Sequence, residues 1–139
     1  MIRRALMLVL CCAAPLTVAA SEGLIYAAVY TCNATELTEA LVAACIAMNP
    51  SMTDRFSSAL IAWKERNATA AANARKLYVS EMRKRFPSEE QFQQVAELIK
   101  ELKRESLDAI ERNVKSEDAC PQALIGMESE KSDVDWVLK

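Results

Sequence analysis

Glycine is nearly absent from this chain: of 139 residues, only Gly23 and Gly126 offer the backbone freedom that tight turns and β-hairpins ordinarily require. Turning points must come from proline instead, and beyond the first twenty residues these are Pro50, Pro87 and Pro121. The stretches between them are rich in alanine, leucine, glutamate, lysine and arginine, the residues that lose least on entering a helix. An all-α fold is the expectation.

The first segment opens at Asn33, a residue type that caps helices, with Glu36 three positions on to complete a capping box. Leu37, Leu41, Ala44 and Met48 then recur at helical spacing until Asn49-Pro50, predicting a helix over about 34–48. The second runs without a breaker over about 52–86, with Phe56, Leu60, Trp63, Asn67, Ala70, Ala74, Leu77 and Met82 on one face and most of its basic residues off it. At about 1.5 Å per residue such a rod approaches 50 Å. Ser88 with Gln91 caps the third, over about 89–114, whose stripe is Phe92, Val95, Ile99, Leu102 and Ile110. The short connection at Pro87 predicts an antiparallel hairpin of the second and third helices. The expected architecture is therefore a helical hairpin with an additional N-terminal helix, a three-helix up-down arrangement, followed by an irregular acidic C-terminal tail over 116–139.

Residues 1–20 read as an address. Arg3 and Arg4 precede an apolar run from Ala5 to Leu16, and Val18-Ala19-Ala20 offers a small-residue cleavage site before Ser21. The run is shorter than the ~20 apolar residues of a membrane span. Export is expected, to the periplasm or outside the cell, with a single domain over 21–139 and no membrane-spanning segment after cleavage. Losing Arg3 and Arg4 from 17 basic residues leaves 15 against 19 acidic ones, a net charge of −4. That balance, on an exported chain, argues against nucleic acid as a partner.

Cleavage also removes Cys11 and Cys12, leaving Cys32, Cys45 and Cys120. Cys32 and Cys45 flank one helix, so they stand roughly 20 Å apart, whereas a disulfide needs Cα atoms within about 7 Å. The third segment returns toward the end of the rod where Cys45 lies. The expected bridge is accordingly Cys45 to Cys120, with Cys32 to Cys120 as the alternative, and Cys32 is the expected free thiol.

The chain contains no histidine. That removes the commonest general base, the usual imidazole metal ligand and every nucleophile–histidine arrangement. No C-x-x-C pair remains and no glycine-rich phosphate loop exists, so no metal or other cofactor is expected. Two carboxylates can hydrolyse glycosides without histidine. Here the candidates, Glu97 with Glu101 and Glu105 with Asp108, are interleaved with Lys100, Lys103 and Arg104, the pattern of a solvated, ion-paired face.

Two surfaces suggest binding. Residues 55–104 carry eleven basic and six acidic side chains, whereas 116–135 carry one and six. The tail is thus expected to lie over the chain's own basic hairpin, the competing reading being that the tail detaches and the basic corner Arg83, Lys84 and Arg85 meets an anionic partner or membrane surface. The second surface is Trp63, Arg66 and Asn67, either a core anchor with a register-fixing amide or the floor of a partner groove. Trp136, near the C-terminus, joins these residues as a possible contact. Asn33-Ala34-Thr35 and Asn67-Ala68-Thr69 match a glycosylation sequon but read as a cap and a core polar residue. The function expected is protein binding in a bacterial envelope, without catalysis, in a chaperone, inhibitor or immunity role. A structural envelope component, a membrane-surface protein and, last, a histidine-free hydrolase are the alternatives.

Overall fold

The computed structural model describes residues 27–116 and 118–134. The expected export signal and Trp136 lie outside the described residues. Within them the chain is helical, without a β-strand. Residues 27–32 are helical and lead through Asn33 into α1, Ala34–Met48. A 3₁₀ turn, Pro50–Met52, precedes α2, Thr53–Arg85, which is followed by α3, Glu89–Asn113, and α4, Ala119–Glu128. No described helix is long and apolar enough to cross a membrane.

The helix boundaries follow local chemistry. Pro50 sits at the first position of its turn, where its missing N–H costs nothing. The Ser88 hydroxyl accepts from Gln91 N at 3.1 Å, the expected cap of α3. Asn33 behaves differently from expectation. It makes no side-chain cap to α1; instead its Nδ2 donates back to Val29 O at 2.9 Å. The chain is already helical when it reaches Asn33, so this residue ties two helical runs together rather than starting one.

The C-terminal region also departs from the irregular tail expected, because α4 occupies its first half. Pro121, read from the sequence as a breaker, falls in the first turn of α4, where its absent donor is one of the four with no helical partner anyway. Leu124 and Met127, three positions apart, are buried on the face that α4 turns inward. The Cys45–Cys120 disulfide, with Cα atoms 5.6 Å apart across 75 residues of sequence, fixes the start of α4 against the end of α1.

Helix α1 is the hub. It packs against α2, α3 and α4, while α2 packs against α4. The close side-by-side packing expected of α2 on α3 is not where the main helix contacts lie. The Pro87 turn fixes the order of these helices, but α2 spends its inward face on α1 and α4. The core gathers Val42 and Cys45 of α1, Phe56, Trp63 and Ala74 of α2, Val114 just past the end of α3, Leu124 and Met127 of α4, and Val134. Lys64–Glu39 and Lys103–Glu36 join α1 to α2 and α3 at the surface. Exposed pairs of this kind are worth about 0–1 kcal/mol and set register rather than stability.

Candidate functional site

Trp63, Arg66 and Asn67 stand at i, i+3 and i+4, which places them on one face of α2. The structure brings them together, and what covers them is residues 127–134 of the same chain. Chain direction reverses after α4 at Glu130, whose φ of 64° is the left-handed conformation that ends many helices. Ser132 then meets Trp63, whose Nε1 donates to its carbonyl at 3.2 Å. Arg66 grips Asp133 with both arms, Nε to Oδ2 at 2.7 Å and Nη2 to Oδ1 at 2.9 Å, and Nη2 also donates to Met127 O at 2.7 Å.

Asn67, only 3% exposed, uses its whole amide. Its Nδ2 donates to Trp63 O at 2.8 Å and to Asp133 Oδ1 at 3.0 Å, and its Oδ1 accepts from Val134 N at 2.8 Å. Such an amide is out of reach for glycosylation. Among the described residues no buried side-chain polar atom lacks a partner, as a low-dielectric interior requires. Trp63 is therefore a core anchor, the first of its two readings, and with Arg66 and Asn67 it forms a latch for the C-terminal strap. Sequence reasoning missed Asp133 and Val134 as the latch's ligands; the charge imbalance between rod and tail was the signal that pointed toward them.

The Arg66 hydrogen bonds, helped by Asn67, hold the Asp133 carboxyl below its ordinary value of 3.8 against the opposing effect of burial. A carboxyl depressed in the folded state stabilises fully above its unfolded pKa and loses that contribution as pH falls through the folded value. Asp133→Asn should therefore cost about 2 kcal/mol at neutral pH, the scale of hydrogen bonds to charged groups. Urea unfolding of wild type and variant at decreasing pH checks this: the gap should close below pH 3.8. A gap independent of pH would show that the Asp133 charge does not hold the strap.

The basic corner lies about 25 Å farther along α2, taking ~1.5 Å per residue, and so does not share a surface with the latch. Arg83 pairs with Glu89 at 2.6 Å and lies 3.5 Å over the Phe92 ring; Lys84 pairs with Glu81 at 2.6 Å. Arg85 has no ion pair among the described residues. The tail's acids instead meet the other end of the rod, Glu128 on Arg55 and Asp133 on Arg66.

Cys32 is free and half-buried. Burial pushes its thiol up, outweighing the Thr31 hydrogen bond and the Arg75 charge. Since the thiolate is the reactive form, this environment favours an inert cysteine. Burial, with a smaller contribution from Cys32, also raises the Tyr78 hydroxyl to about 12. Of the carboxylate pairs, Glu101 bonds Arg104, which holds its carboxyl low, and Arg104 also reaches Asp108 at 3.3 Å. A general acid needs the opposite shift. Among the described residues no three His, Cys, Asp or Glu side chains converge as a metal site would need.

A feature absent from the sequence reading is an open groove of about 570 Å³ between α1 and α3. Leu37 and Leu41 line one wall, Leu102 and Ile110 the other, and Tyr30, 53% exposed, stands at the rim. No residue of α3 is buried, although its apolar stripe recurs faithfully. Comparison of the chain with protein-family models, curated proteins and solved structures gives no match.

Proposed function

We propose that this chain is an exported protein of the bacterial envelope that works by holding a protein partner, without catalysis. The observation that carries the reading is the half-covered stripe of α3 beside the α1–α3 groove. An amphipathic helix of 25 residues that buries none of them leaves apolar surface for another molecule to cover. Grooves between helices are common seats for an amphipathic helix of a partner, which anchors side chains at i, i+3 and i+7. Chaperone, inhibitor and immunity roles all use such a surface. The leader, with Arg3 and Arg4 ahead of its apolar run, supports export. The membrane-surface reading has less support, since Arg83 and Lys84 are already engaged by acids of their own chain.

The test places a photocrosslinking residue at Leu98 or Tyr30, both exposed, in full-length protein expressed in a Gram-negative host. Protein recovered from the envelope fraction should begin at Ser21 and carry a discrete protein adduct. That adduct should vanish in Leu102→Glu while the melting temperature stays within a few degrees. An intact Met1 terminus would overturn export. Absence of any adduct at both positions, or an adduct indifferent to Leu102→Glu, would overturn the groove as the binding surface.

A further inference from the structure

A second cavity, of about 450 Å³, lies where the disulfide joins α1 to α4, and it meets the α1–α3 groove only at Val114. Phe56 and Leu124, both buried, and the Cys45–Cys120 bridge form its interior; Met48 and Ile125, 52% and 49% exposed, flank its mouth. Its volume is within the range of ligand pockets, about 300–1,000 Å³. The bridge pins two of its walls, with Cα atoms 5.6 Å apart, so the cavity cannot shrink by letting α4 slide toward α1.

The lining carries one charge, that of Arg55. Its side chain is 58% exposed, and its guanidinium holds the Glu128 carboxylate through Nε at 3.0 Å and Nη2 at 2.9 Å. A carboxylate is therefore already what this position binds, and Nη1, which makes no hydrogen bond among the described residues, is left to take a second one without displacing Glu128. Inside, only Asn49 and Ser116 offer polar side chains. A peptide segment would bring more backbone donors and acceptors than the lining can satisfy, whereas a hydrocarbon chain brings none. Met48 and Met52 are unbranched and adapt to a flexible guest.

We propose that this cavity binds a free single-chain carboxylic amphiphile, its hydrocarbon chain against the disulfide, Phe56 and Leu124 and its carboxylate on Arg55. This activity goes beyond the protein-binding reading and does not depend on it, since the groove and its Leu98 and Tyr30 probes lie elsewhere.

Titration of the oxidised full chain with monomeric dodecanoate, followed by the methyl resonances of Met48 and Met52, tests it. Saturable shifts are expected, with dodecanoate binding about tenfold or more tightly than dodecanol, the scale of a hydrogen bond to a charged group. Arg55→Gln, at an exposed position, should erase that preference and leave the alcohol's affinity unchanged. Ile125→Asp should weaken both ligands. Anionic phosphatidylglycerol vesicles should leave the methionine signals unmoved. Failure of dodecanoate to shift them, equal binding of acid and alcohol by the wild type, or shifts produced by vesicles alone would overturn the proposal.

Discussion

Trp63→Ala should remove about 3–5 kcal/mol, the usual cost of deleting a buried aromatic side chain, and bring the domain close to its unfolding threshold. Trp63 is 1% exposed and is among the largest fully buried side chains. Its loss leaves a void where α2 meets the C-terminal strap and strips the Ser132 carbonyl of its indole donor. Domains of this size hold only about 5–15 kcal/mol in total, so the variant should unfold at much lower urea or be recovered unfolded. Trp63→Phe separates the two contributions, keeping most of the ring while losing the hydrogen bond, at about 1–2 kcal/mol. Equilibrium unfolding of both variants decides the matter. A Trp63→Ala cost under about 1 kcal/mol would place the indole at the surface and dissolve the latch with it.

Breaking the disulfide should be nearly as damaging. A cross-link closing 75 residues restricts the unfolded chain by about 4 kcal/mol in the chain-entropy model, which corresponds to roughly 20 °C in melting temperature for a domain of this length. Cys120→Ser should reproduce the melting temperature of the reduced wild type, because both lose the same constraint. Cys32→Ser should change stability by no more than about 0.5 kcal/mol, as expected of a half-buried side chain outside the disulfide. Peptide mapping without reductant should recover Cys45 joined to Cys120. Equal effects of Cys32→Ser and Cys120→Ser would mean that the bridge forms elsewhere. The loss should also be felt beyond the bridge itself, because α4 delivers the strap to Arg66 and Asn67.

The helices themselves were legible because their signals are local. Asn49-Pro50, Pro87 and the Ser88 cap act on the residues beside them, and α1, α2 and α3 begin and end within about a residue of expectation. The partner of Cys120 was only half legible: helix length forbids Cys32 from reaching Cys45 and chain direction favours Cys45, but Cys32 stayed open as the alternative until the structure joined Cys45 to Cys120. Local signals fail where a residue's role depends on what precedes it. Asn33 has the chemistry of a cap, yet an upstream helical run, not visible in its own neighbourhood, turned its amide backward to Val29. Pro121 has the chemistry of a breaker, yet a first-turn position makes it harmless.

Sequence alone thus determined the compositional facts: a helical chain, too poor in glycine for hairpins and phosphate loops, without histidine, and with three cysteines beyond residue 20, of which Cys32 and Cys45 cannot bond to each other along one helix. The tertiary structure alone decided what each face touches. Charge imbalance said that the tail and the rod attract, but charge is long-ranged and does not choose among Arg55, Arg66, Arg83, Lys84 and Arg85. Glu128 took Arg55 and Asp133 took Arg66, the latter because Trp63 and Asn67 beside it satisfy the backbone of Ser132 and Val134, and only directional hydrogen bonds across 66 to 69 residues of sequence could specify that. The α1–α3 groove and the pocket behind the disulfide were invisible for the same reason. A cavity is the space left between elements, and it exists only once α1 has taken its place against the other three helices.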